Sequence, residues 1–117
     1  MRTGRFLAEA PDLAWTTREK RHLTLKFLGD VAEAAAPRLV EAAERVAAAA
    51  RPMEMVVREV GAFPNFRRAR VVWIGVEQER RLELLHHDLE LACEGAGFEV
   101  EGRPFRPHIT LARVRSP

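Results

Sequence analysis

His108-Ile109-Thr110-Leu111 opens the β-type run that ends at Val114, and it repeats His22-Leu23-Thr24-Leu25 almost letter for letter. In a strand, residues i and i+2 point to one face. His22 and Thr24 then share a face, with Leu23 and Leu25 turned to the core. His108 and Thr110 do the same, backed by Ile109 and Leu111. Two imidazoles and two hydroxyls from two related strands line one cleft.

Working outward from these phrases, the chain divides by period and by breakers. Leu13-Ala14-Trp15 reads as a short strand and Thr16-Thr17-Arg18-Glu19 as a loop. His22 to Leu28 alternates as a strand, and Gly29-Asp30 stops it, with Asp30 placed to cap a helix. Residues 32–50 are alanine-rich and helical, with Leu39, Ala43, Val46, Ala47 and Ala50 on one stripe. Pro37 is tolerated only near a helix start, so the first turn falls close to it. Met53 to Val60 reads as a strand, Gly61 to Phe66 as a loop, and Arg70 to Val76 as a second strand. Glu79 to Ala96 is a helix with Leu82, Leu85, Leu89 and Ala92 inside, stopped by Gly95 and Gly97. Residues 98–107 are extended or looped, and His108 to Val114 is the last strand. The expected class is α+β. Two pseudo-symmetric lobes, each a small antiparallel sheet with a packed helix, leave the active-site cleft between them.

A chain of 117 residues suits one domain with one core. No stretch approaches the roughly 18 apolar residues of a membrane span. The start, Met1-Arg2-Thr3-Gly4-Arg5-Phe6-Leu7, lacks the apolar centre of a signal peptide, so the expected location is the cytoplasm. Cys93 is the only cysteine, sits in a helical pattern, and reads as a half-buried inert thiol. The formal charge is +2, yet Lys20 and Lys26 are the only lysines among 19 basic residues. Arginine's planar fork suits phosphate oxygens. GC-rich coding also yields arginine and alanine, so the excess permits a nucleic-acid partner without requiring one.

Histidine's unperturbed pKa lies near neutrality, so a matched pair can hold one acid and one base together. In-line attack on a phosphodiester needs both, one on each side of phosphorus. Threonine hydroxyls can donate to the non-bridging oxygens, and arginine can stabilise the charge. A strained 2′,3′-cyclic phosphate can be opened this way without a metal.

Three passages carry a resemblance to a known family. They are His22-Leu23-Thr24-Leu25-Lys26-Phe27-Leu28-Gly29-Asp30, then Gly61-Ala62-Phe63-Pro64 leading through Arg68 to Arg70-Val71-Val72-Trp73, and Arg103-Pro104-Phe105-Arg106-Pro107-His108-Ile109-Thr110-Leu111-Ala112-Arg113. The chain resembles the two-histidine phosphoesterase superfamily and, within it, the bacterial RNA 2′,3′-cyclic phosphodiesterases, also called 2′-5′ RNA ligases. The resemblance implies His22 as general acid toward the 3′ oxygen and His108 as general base on water, labels the near-symmetric site could exchange. It implies Thr24, Thr110 and Arg113 as phosphate ligands and Phe27 as a base-stacking side chain. It implies an RNA substrate with a 2′,3′-cyclic phosphate end, a 2′-phosphate product, no metal and no nucleotide cofactor. Relatives run longer at both ends, so residues 1–117 are expected to be one two-lobed domain shortened at both termini. Reversible 2′-5′ ligation of tRNA halves and a non-catalytic RNA-binding relative are the alternatives, and no protein partner is implied.

Other candidates are weaker. His86-His87-Asp88 lacks a third ligand at zinc spacing and reads as a helix flank. Arg67-Arg68-x-Arg70 is a solvated loop or an RNA-contacting one, with Phe63 or Phe66 as a platform. Trp73 reads as core or sheet-surface packing. No glycine-rich phosphate loop is present, which argues against ATP use.

Overall fold

Strand β4 (His108–Val114) is the strand around which the sheet is assembled. On one side it pairs with β1 (Leu13–Trp15), on the other with β3 (Val71–Val76), and β2 (Val57–Phe63) lies beyond β3. All three pairings are antiparallel. The computed structural model describes residues 12–115. Branched and aromatic residues at alternate positions dictate these strands. One face is apolar, and Leu13, Val72 and Ala112 are buried there with Val60 and Val114 packed against them.

The sheet forms one compact unit, made of the described residues up to Thr24, Val56–Glu77 and those from Arg106 onward. The other unit, Leu25–Met55 and Gln78–Phe105, holds helix α1 (Ala36–Ala49) and helix α2 (Arg80–Gly95). Its core joins Leu39 of α1 to Cys93 and Ala96, with Leu28, Val31, Leu89 and Phe98 around them. Helix α2 begins with the Glu79 carboxylate accepting from the Leu82 N–H, as an N-cap should. It ends in a left-handed residue, Gly97 at φ +99. There the Phe98 N–H reaches the Cys93 carbonyl and the Gly97 N–H the Glu94 carbonyl, which is the Schellman arrangement.

A buried ion pair fastens this unit. Lys26 Nζ contacts Glu90 Oε1 at 2.5 Å, and both side chains are almost wholly buried. Lys26 also donates to the Glu99 carbonyl, and the Glu101 N–H donates to Glu90 Oε2. One carboxylate on α2 thus holds two irregular segments. Burial alone would raise the Glu90 carboxyl, but the Lys26 bond, the Glu101 N–H and the charges of Lys26 and His86 hold it below its ordinary value. Burial pushes the Cys93 thiol up, and the side chain is buried where half-burial was expected.

The α+β class is the expected one, but its parts are distributed differently. The strands gather in a single four-stranded sheet, and the two helices pack on each other. An apolar stripe shows that a helix face is buried without naming what buries it. The expected strand His22–Leu28 reduces to one antiparallel bridge, Leu23 to Ile109. A 3-10 turn at Arg18–Lys20 separates that bridge from β1, and residues 24–28 are in no strand. The strand expected at Met53–Val60 is shifted to Val57–Phe63, running through Gly61, which by sequence reads as a breaker. Helix α1 starts beside Pro37, as expected, but Asp30 does not cap it, and Ala42 rather than Ala43 is buried. Among the described residues no helix is long and apolar enough to cross a membrane.

Candidate active site

The bridge from Leu23 to Ile109 sets the register of the two repeated phrases. Extending it by one residue each way places His22 opposite Thr110 and Thr24 opposite His108. Because neighbours in a strand alternate, these four side chains leave the face opposite to Leu23 and Ile109. Each histidine faces the other phrase's threonine. In that register the two histidines are diagonal neighbours, whose backbones in a regular antiparallel pair lie about 7 to 8 Å apart. Both motifs therefore lie in the sheet unit rather than one in each lobe.

The two rings are held in the same way. His22 Nδ1 lies 2.7 Å from the Lys20 carbonyl, and His108 Nδ1 lies 2.8 Å from the Arg106 carbonyl. A carbonyl only accepts, so each Nδ1 carries the proton and each Nε2 is left for exchange. Both histidines are exposed, as is Thr24, and Thr110 is half-buried.

Arg113 joins this face through an irregularity. Along β4, position 113 has the opposite parity to 108 and 110, which in a regular strand would send the arginine to the apolar side. Val72 pairs with Ala112 while Trp73 pairs with Thr110, so Leu111 is an extra residue. Such a bulge reverses the alternation beyond it. Ala112 then points into the core, where it is fully buried, and Arg113 stands exposed on the histidine face.

Trp73 lies on the same face. It pairs with Thr110 on one side and Gly61 on the other. Its indole lies over Gly61 so closely that a Cβ there would meet ring carbons at 2.2–2.6 Å. Its ring centroid is 5.8 Å from that of His108, tilted by 56°. Sequence reasoning gives Trp73 only a packing role. The signal available is the pair of glycines, Gly61 and Gly75, that leave its ring room on the sheet. One step along, Arg113, Val71 and Phe63 form the next row across the same face.

Phe27 belongs to the helical unit and is 83% exposed. His86, in that unit, stacks on Phe105 with centroids 4.0 Å apart. A cavity of about 210 Å³, lined by residues including Val46, Met53, Arg81 and Asp88, contains none of the motif residues. Among the described residues no three His, Cys, Asp or Glu side chains cluster as a metal site would need.

The chain is similar to known proteins. The model of the 2′-5′ RNA ligase superfamily matches residues 5–117. An RNA 2′,3′-cyclic phosphodiesterase of Geobacillus stearothermophilus is 38% identical over 111 residues, which is 95% of this chain and 35% of that protein. The crystal structure of TT0787 of Thermus thermophilus is 29% identical, with a TM-score of 0.76 over 99% of this chain and 66% of that one. Escherichia coli LigT complexed with 3′-AMP is 30% identical, with a TM-score of 0.67 over 97% of this chain and 67% of that one. The chain spans about half the length, or less, of the curated relatives it matches.

Proposed function

The chain belongs to the 2′-5′ RNA ligase superfamily, and on that premise we propose that it hydrolyses 2′,3′-cyclic phosphate ends of RNA to 2′-phosphomonoesters. The observation that carries the reading is the antiparallel bridge that sets two His-x-Thr phrases face to face, each histidine with Nε2 available.

In this scheme His108 Nε2 takes a proton from water as its oxygen attacks phosphorus. The bond from phosphorus to O3′ breaks, and O3′ takes the proton from His22 Nε2. The products are a 2′-phosphate and a free 3′ hydroxyl. Thr24 and Thr110 donate to the non-bridging oxygens, and Arg113 stabilises the charge that builds there. The two histidines exchange protonation states in one turnover, which a pair of like bases with matched supports can do in either direction. Opening the strained ring supplies part of the driving force, so the scheme needs no metal or nucleotide cofactor. Phe27 is assigned to base stacking by its place in the motif, and its exposure is consistent with that. The similarity to curated cyclic phosphodiesterases and to a protein crystallised with 3′-AMP supports a nucleotide substrate.

With a 5′ hydroxyl in place of water, the same residues would open the cyclic phosphate to a 2′-5′ phosphodiester: His108 takes the hydroxyl proton, the bond from phosphorus to O3′ breaks, and O3′ takes the proton from His22, which is the ligation in the superfamily's name. The test is to incubate the purified chain, in excess EDTA, with an oligoribonucleotide ending in a 2′,3′-cyclic phosphate and with cut tRNA halves. A 2′-phosphate end without joined product supports hydrolysis. Joined halves support ligation. Binding without turnover, unaffected by loss of both histidines, would replace this reading with that of an RNA-binding relative.

A further inference from the structure

The row structure of the histidine face points past the reacting phosphate. In β4 the face shows His108, Thr110 and Arg113; in β3 it shows Gly75, Trp73 and Val71; in β2 it shows Gly61 and Phe63. Strands lie about 4.8 Å apart and like-facing residues about 6.8 Å apart along a strand. Phe63 is therefore about 12 Å from Thr110, two strands across and one row along. It is 67% exposed, which is unusual for a phenylalanine in a sheet whose other face is the core. Beyond Phe63 the β2–β3 hairpin carries Arg67, Arg68 and Arg70, all exposed. None of the three has a carboxylate partner among the described residues. The turn is braced, with the Arg68 N–H donating to Asn65 Oδ1 and the Arg70 N–H to the Phe63 carbonyl.

We propose that the strip from the histidine–threonine column across Trp73 to Phe63 and the hairpin arginines is a track for the single-stranded RNA that leads to the cyclic end. The proposal rests on the phosphodiesterase reading and specifies its substrate as an oligonucleotide rather than a mononucleotide. Trp73, half-buried and flat on Gly61, lies beside the first nucleoside. Phe63 offers a ring for the next base, and stacking on an aromatic is tolerant of sequence. Arg67 and Arg68 meet the backbone phosphates that follow. A lone nucleoside cyclic phosphate would fill the column and leave Phe63 and the arginines unused.

Two measurements test this. The first is kcat/KM for a trinucleotide ending in a 2′,3′-cyclic phosphate, divided by that for the mononucleoside cyclic phosphate. The ratio should be well above one in the wild type. It should fall about ten-fold in Phe63→Ala and again in Arg67→Ala/Arg68→Ala. The second is the anisotropy of a labelled trinucleotide bearing a 3′-phosphate, titrated at several salt concentrations. The arginine variant should bind more weakly and lose roughly one unit of salt slope. Unchanged ratio and binding in both variants would overturn the track. If neither the trinucleotide nor the mononucleoside ester is opened, the reaction reading fails instead, and the binding titration still decides on the track. Thermal melts of each variant show whether a loss comes from unfolding.

Discussion

Leu23 and Ile109 face each other in an isolated antiparallel bridge. That one pair is what sets His22 against Thr110 and Thr24 against His108. Leu23→Pro removes the backbone N–H and restricts the preceding residue. It is expected to lower kcat on a cyclic phosphate at least about 100-fold, since misplacement by about 1 Å has such an effect. Far-UV circular dichroism should stay close to wild type, because the four strands and both helices lie elsewhere. Undiminished turnover would mean that the bridge does not position the motifs.

The bulge at Leu111 makes a sharper prediction about Arg113. Deleting Leu111 restores regular alternation in β4 and cannot keep both His108 and Arg113 on one face. Arg113→Ala removes only the guanidinium. Activity assays should therefore find the deletion more damaging than Arg113→Ala. Equal losses would show that Arg113 alone accounts for the effect.

Gly61 is required by Trp73. Gly61→Ala puts a methyl where the indole lies, and overpacking of this kind costs about 1–3 kcal/mol. Introduced into Trp73→Ala, the same change should cost much less, because its obstacle is gone. Urea unfolding of the four proteins in the cycle measures the difference.

The Lys26–Glu90 pair gives a pH signature. The Glu90 carboxyl is held below its ordinary value of 4.5 in the folded chain. Its stabilising effect is thus fully present above the unfolded value and is lost as the pH falls through the lowered folded one. Glu90→Gln also leaves the Lys26 charge buried without its partner, a change that costs about 3–5 kcal/mol. The gap in unfolding free energy between wild type and Glu90→Gln should be widest near neutrality and should narrow in acid. A gap that is constant between about pH 7 and about pH 3 would contradict this assignment.

Legibility in the sequence follows the physical range of each signal. Strand β4 is readable to the residue because its apolar alternation is local, and α2 because its leucines recur at helical spacing. The His22 segment invites overreading: its alternation is that of a strand, but it meets β4 at one pair. The role of Gly61 is hidden because a glycine beneath an indole and a glycine in a loop look alike until the neighbouring strand is known. The bulge that turns Arg113 to the histidine face is a property of two strands and leaves no mark in one. That His108 and Thr110 share a face is legible because alternation along one strand is local, whereas the register between the two phrases is not, and the position of Arg113 comes from family resemblance, not from periodicity.

The central claim is that His22 and His108 act as one acid–base unit. Its most direct test is the rate of ring opening of a 2′,3′-cyclic phosphate oligoribonucleotide, in excess EDTA, by the wild type, His22→Ala, His108→Ala and the double variant. Each single change should lower kcat by about 100-fold or more, and the double variant should be little worse than either, because groups that act together fail together. Turnover that survives either single substitution, or losses that simply multiply in the double variant, would contradict the paired mechanism.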